Sequence, residues 1–321
     1  MANEVITNQY NASGFAALEP DLRLAHILSA EINLLLRDTG NLRNSQFMSY
    51  AGSINSSGSD SIRIRKAGLD GRDLFETMTH EISDISIQAL THDHVDLVVA
   101  RLGLMYQLTD LASMTGGFGG PDIDPFRLAQ SMSGSYEATF ADKTADAATA
   151  GFSTTTGSNS TTFSVDDFFN GIFELEKADS NRGAVGPFAA VLHPKALTEL
   201  QSSIRSETSN AISYMPATAA MLEAKSNSFV GSLFGVELYK SSYVNANGSS
   251  GYDNFMFGAG GIAYADGVPN IVGAAQTMGM DKITIEMDRD AAKGITKILG
   301  HAYLGIVVAD ANKGCLILSA Q

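Results

Sequence analysis

Along the chain the spacing of apolar positions shifts from irregular to helical, to alternating, and back to helical, and these shifts mark out the predicted elements. Residues 1 to about 20 are polar and turn-rich, too poor in apolar spacing to fold alone, and read as an extended arm ordered on neighbouring surfaces. Pro20 and Asp21 open a predicted helix to about Asp38, with Leu24, Ile27, Leu28, Glu31, Ile32 and Leu35 at helical spacing and Gly40 as its stop. Its Leu-rich face needs a partner surface, which makes Leu24 and Leu28 candidates for contact with another subunit. From about 44 to 110 the period becomes two: Ser61-Ile62-Arg63-Ile64-Arg65 alternates, Ile85, Ile87 and Ala89 share a face, and Asp96 to Arg101 is strand-like. With turns at Gly52, Gly58, Gly68 and Gly71, this stretch reads as a projecting β-loop followed by a strand returning to the body.

Thr115 to Pro121 reads as a flexible joint, with Gly116, Gly117, Gly119 and Gly120 as the hinge candidates. A single long helix follows from Asp122 to about Ala148, with Phe126, Ala129, Met132, Tyr136 and Phe140 on one side and Gly134 as its weak point. Residues 151 to 164 are rich in Gly, Ser and Thr and read as a surface connection. Ser164 and Asp167 form a capping-box pattern ahead of a helix ending near Asp179, to which Val165, Phe168, Phe169, Ile172 and Phe173 give an apolar face. Phe188 to Leu192 is a predicted buried strand, and His193-Pro194 starts a helix carrying Leu197, Leu200 and Ile204. Leu233 to Leu238, Asn254 to Phe257 and Gly261 to Tyr264 read as strands of one small mixed sheet. Ile283 to Asp288, Ile295 to Val308 and Leu316 to Ser319 are the last three strands. The fold class is α+β, divided into an arm and helix (1–43), an extended β-loop with return strands (44–110), the long-helix region (111–164), a mixed α/β body (165–275) and closing strands (276–321).

Composition adds an expectation about partners. Of 321 residues, 44% are hydrophobic and only 17% charged, a charge fraction below the roughly 25% usual for soluble domains, as expected of a chain whose surface largely meets protein. The net charge of −14, with no basic block longer than Arg63 to Lys66, disfavours tight binding to phosphate backbones and excludes a sequence-reading DNA binder. Acidity is compatible with a container, whose inner wall gains little from clinging to its contents. The opening Met1-Ala2-Asn3-Glu4 has no basic segment followed by an apolar run, and no apolar stretch reaches the length of a membrane span, so neither a secretory signal nor a membrane role is expected. Cys315, within Gly314-Cys315-Leu316-Ile317-Leu318, reads as a small apolar side chain in a strand.

Candidate chemistry is thin. His92-Asp93-His94 is the one tight histidine group, with His80 the nearest further ligand, and reads as a solvated turn with no metal site. The Gly116 to Gly120 run precedes a helix but has neither the Lys-Ser/Thr of a phosphate loop nor a βαβ setting, and Pro121 interrupts the helix entry. Asp166-Asp167 is explained by the helix dipole. No catalytic residue and no cofactor is expected. Arg63, Arg65 and Lys66 form a basic group on the β-loop, read either as a contact to an acidic patch on an adjacent subunit or as a solvated strand face that blunts an edge.

The order of these elements resembles the major capsid proteins of tailed double-stranded-DNA phages, which share the Hong Kong ninety-seven-type fold. The likeness spans most of the chain: an arm, an extended β-loop, a long helix at Asp122 to Ala148, the segment Ser164 to Ile172, then Ala190-Val191-Leu192-His193-Pro194-Lys195-Ala196-Leu197. Ser232-Leu233-Phe234-Gly235-Val236 with Lys240-Ser241, Glu286 to Asp290, and Gly305 to Val308 resemble the later strands of that family.

The resemblance implies a peripheral domain built on a spine helix and long strands, and an axial domain at about 165–275 in the centre of each hexamer or pentamer. It implies self-assembly into an icosahedral shell that encloses DNA without reading its sequence. A separate scaffolding protein and a portal are expected partners, with a decoration protein as an optional addition, and the location is the virion, assembled in the host bacterial cytoplasm. In relatives that crosslink, a β-loop Lys joins a neighbour's Asn. Lys66 is the corresponding residue here, but no Asn or acidic catalyst can be placed, and no crosslink is expected. Two rivals stand beside this reading: an encapsulin-type nanocompartment with the same fold and protein cargo, and, more distantly, an α+β hydrolase.

Overall fold

The computed structural model of the chain describes residues 32, 47–56, 59–66, 93–110, 125–177, 186–206, 214–216, 229–246, 251–268, 275–276 and 283–321. In chain order the strands and helices begin with β1 (Met48–Ser53), β2 (Ser61–Lys66), β3 (Asp93–Val98), β4 (Ala100–Thr109), α1 (Pro125–Gly151) and β5 (Thr154–Gly157). They continue with α2 (Val165–Glu176), β6 (Phe188–Leu192), α3 (Pro194–Ser206), β7 (Tyr214–Pro216), β8 (Phe229–Leu233) and β9 (Val236–Lys240). The last are β10 (Gly251–Gly258), β11 (Ile262–Gly267), β12 (Ala275–Gln276), β13 (Thr284–Asp290), β14 (Ile295–Val308) and β15 (Gly314–Ala320).

One sheet of six strands is ordered β1-β11-β14-β13-β12, with β4 also on β14. The long β14 organises it, pairing antiparallel with β4 and β13 over its first part and with β11 over its second. A second sheet of seven strands is ordered β5-β15-β10-β6-β9-β8-β7, and β2 and β3 form a separate antiparallel ribbon.

The 27 residues of α1, roughly 40 Å of helix, lie against both sheets. Toward the six-stranded sheet, Ala129, Met132 and Tyr136 pack with Ile283, Ile285, Ile298 and Ala302, and Ile32, itself helical and fully buried, joins this cluster. Further along, Phe140 enters a second cluster with Phe255 and Phe257 of the seven-stranded sheet and Tyr264 of the six-stranded one. The opposite face of the seven-stranded sheet is covered by α2 and α3 through Phe168, Leu175, Leu197 and Leu200 against Ala190, Leu192, Met256 and Ile317. Asn254, fully buried in that sheet, accepts from the His193 backbone N–H (2.8 Å) and donates to the Ser319 hydroxyl (2.9 Å) and the Ile317 carbonyl (3.2 Å), so its polar burial is compensated.

Several expectations are corrected. Leu233 to Leu238 is not one strand: Phe234 (φ 52°) and Gly235 (φ 83°) are both left-handed and close a two-residue hairpin turn between β8 and β9. The strands expected in one small sheet divide between two, because β11 leaves β10 through a turn at Gly260 and pairs with β14, while β15 returns to β10. Residues 151 to 164 are not only a connection. Thr154–Gly157 is an edge strand parallel to β15, held by a backbone ladder that side-chain composition does not reveal. The ribbon of β2 and β3 is packed on the six-stranded sheet, since Ile62 and Ile64 share a cluster with the buried Leu97, Val99, Ala263 and Ala265. The expectations at Leu24 and Leu28, Ile85 to Ala89, His80, His92 and the joint at Gly116 to Gly120 lie outside the described residues.

Where that ribbon meets β14 the backbones nearly touch. A Cβ on Gly305 would stand 2.5 Å from the Val98 carbonyl oxygen and 2.6 Å from Leu97 Cδ2, and backbone cannot yield as a side-chain tip can. Gly305→Ala is therefore expected to destabilise the fold by about 1–3 kcal/mol, read as a lower denaturant midpoint in urea unfolding.

Candidate functional site

The candidate site is a surface, and its first part is the ribbon of β2 and β3. Alternation puts Ile62, Ile64, Val95 and Leu97 on the body side and Arg63, Arg65, His94 and Asp96 on the exposed side. The register sets Arg63 opposite Asp96 and Arg65 opposite His94. The Arg63 guanidinium donates twice to the Asp96 carboxylate, at 2.9 and 3.3 Å, and this hydrogen bonding holds the Asp96 carboxyl below its usual range. Arg63 thus has a partner within its own chain. Arg65 remains exposed at the ribbon surface, and Lys66 is the last position of β2.

The second part is on α2, whose apolar face is only partly covered. Ser164 caps the helix, its hydroxyl accepting from the Asp167 N–H, while the Asp167 carboxylate accepts from the Ser164 N–H. The apolar arc is wider than the sheet beneath it: Val165, Phe168 and Leu175 are buried, whereas Phe169 is 42% and Phe173 61% exposed. Phe169 packs on Phe234 of the β8–β9 turn, ring centroids 4.5 Å apart, and the Lys177 ammonium lies 6.0 Å from the Phe173 ring centre. Asp166 and Glu176, both exposed, stand at either end of this aromatic stripe.

The third part is a groove of about 280 Å³ on the other side of the seven-stranded sheet, between α1 and the end of β9. Gly134, Ala138 and Ala141 form its helical wall, and Val191, Tyr239 and Phe255 its floor. Glu137 and Lys240 stand at its edges. Tyr239 donates to Glu237 at 2.8 Å, and burial raises its phenol far above the ordinary range, so it is no base.

Elsewhere the polar contacts are structural. Arg101 donates to the His301 ring at 3.1 Å with the Glu286 carboxylate 3.9 Å beyond, a cross-strand group without a nucleophile. Among the described residues no cluster of three His, Cys, Asp or Glu side chains has the arrangement of a metal site.

No protein-family model matches the chain, and no curated protein matches it by sequence. Solved structures do. The capsid of Ralstonia phage GP4 is 10% identical with a TM-score of 0.58, over 89% of this chain and 90% of that one. The capsid of a native GTA particle is 12% identical with a TM-score of 0.57, over 87% and 90%. The chain has the phage major-capsid fold. That capsid fold is also found in the holo-SrpI encapsulin complex of Synechococcus elongatus PCC 7942, 12% identical with a TM-score of 0.55 over 89% of this chain and 86% of that one. Within it, Cys315 is a buried strand residue of β15, its thiol pushed up to about 11 by burial. The native protein is expected to resist thiol reagents at pH 8 and to react at this one position after unfolding, measured by thiol-specific absorbance titration.

Proposed function

We propose that this chain is the major capsid protein of a tailed phage, self-assembling into the icosahedral shell around a double-stranded-DNA genome. The observation that carries the reading is structural similarity over about nine-tenths of the chain to the capsids of Ralstonia phage GP4 and of a native GTA particle. In this reading α1 is the spine helix and, with the six-stranded sheet, forms the peripheral domain. The body at 165–275, completed by β5 and β15 in its sheet, is the axial domain around which hexamers and pentamers close. Leu24, Leu28, Arg65 and Lys66 are carried as contacts to sister copies, and Gly116, Gly117, Gly119 and Gly120 as the hinge that lets identical chains bend differently at non-equivalent positions. Scaffolding and portal proteins are the expected partners, the host bacterial cytoplasm the place of assembly, and no catalytic step is assigned.

The likeness to an encapsulin gives a second reading, a shell around protein cargo. The two differ in contents. Nuclease-treated particles purified from the producing cells are expected to appear as closed shells in electron micrographs and to retain protected double-stranded DNA. Closed shells that hold only protein support the encapsulin reading, and a protein that forms no shells overturns both.

The ribbon gives a residue-level check. Arg65→Glu is expected to cut shell yield severalfold with the subunit's thermal unfolding unchanged, because its side chain lies on the exposed face. Arg63→Glu instead sets two carboxylates opposite each other across the ribbon and is expected to lower subunit stability itself. Both effects are read by sedimentation of assembled particles alongside melting of the unassembled subunit.

A further inference from the structure

The aromatic stripe on α2 and the groove beside α1 lie on opposite faces of one seven-stranded sheet. We infer that the Phe169–Phe173 stripe of one copy seats in the groove of the next copy, a head-to-tail contact that repeats around a closed ring. The inference rests on the shell reading and names the contact that reading requires.

Four observations carry it. First, Phe173 is 61% and Phe169 42% exposed, on a helix whose inward face is already filled, so the stripe projects from a finished core. Second, the groove, at about 280 Å³, has largely apolar walls, a surface that an aromatic ring would cover. Third, Gly134 sits mid-helix with nothing within 4 Å of where a Cβ would stand, so its small size is not explained by any contact among the described residues. An aromatic side chain from outside would use that space.

Fourth, the charges favour a head-to-tail contact over a symmetric one. Asp166 and Glu176 bracket the stripe, and two stripes face to face would oppose acid to acid. The groove offers the exposed Lys240 to those acids. A contact between unlike surfaces of the same chain closes into a ring when the rotation per copy divides the circle, which a hexamer or pentamer does.

The test uses the full chain under conditions where the wild type assembles. Gly134→Leu fills the groove with a better helix former in open space, so the subunit should fold at least as well as the wild type while ring and shell yield fall roughly tenfold or more, as at an interface hot spot. Phe173→Asp should do the same from the other side. Where both lose assembly, cysteines provide a second readout. The pair Ala138→Cys with Asn170→Cys, the latter an exposed position beside the stripe that leaves both phenylalanines in place, should give under mild oxidation of assembled particles a ladder of covalently linked chains on a non-reducing gel, and either single variant should not. The sheet separates the two positions within one chain, so the link can form only between copies. Assembly of Gly134→Leu at wild-type yield, or intact particles of the cysteine pair that yield no ladder, overturns the inference and leaves the shell reading standing. Absence of particles from the wild type itself overturns the shell reading instead.

Discussion

Phe140 occupies the point on which the rest of the structure depends, because α1 must be buried against two sheets at once and this ring meets both. It packs edge-on against Tyr264 of the six-stranded sheet, centroids 5.9 Å apart, and lies in one cluster with Phe255 and Phe257 of the seven-stranded sheet. Burial of apolar area is non-directional, so a helix with one wet face would tolerate many positions. A helix caught between two sheets does not. The chain also crosses between the sheets three times, from β4 through α1 to β5, from β10 to β11 and from β14 to β15, each time with both strands paired in their own sheet. The two sheets cannot separate without breaking the cluster that holds α1.

That arrangement explains which side chains are left over. The core uses both faces of the seven-stranded sheet and, through the apolar side of the ribbon, part of the second face of the six-stranded one, and what remains is the exposed side of the ribbon, an aromatic stripe and an apolar groove. A monomer gains nothing from exposing two phenylalanines on a helix whose core side is complete, or from a glycine facing open space in the middle of its longest described helix. A subunit that meets its own copies on several sides does gain, and its low charge content points the same way.

Much of the fold was legible because burial there follows a simple period. Phe188 to Leu192 is a strand buried at every position, Pro194 starts a helix because its missing N–H costs nothing at a first turn, and the capping box at Ser164 and Asp167 marks a helix start without tertiary context. Sheet membership was not legible, because fully buried strands such as β11 carry no alternation to say which sheet they join. The turn at Phe234 and Gly235 was hidden because a large aromatic holds the left-handed position where Asn or Gly is usual, and the apolar pattern runs straight through it. Of the candidate surface, the basic ribbon was visible, but the engagement of Arg63 by Asp96 depends on a register between distant residues. Phe169 and Phe173 lie on the apolar face that the sequence shows, but their exposure was not legible, since period alone does not give the width of the surface beneath a helix. The groove is a property of two elements together and has no sequence signature.

The central claim is that these leftover surfaces are covered by further copies of the same chain. Sedimentation velocity of the purified wild-type protein over a wide concentration range tests it most directly. The account predicts a concentration-dependent shift from subunit to ring-sized and much larger species. A single boundary at the monomer mass of 33.9 kDa at every concentration contradicts it.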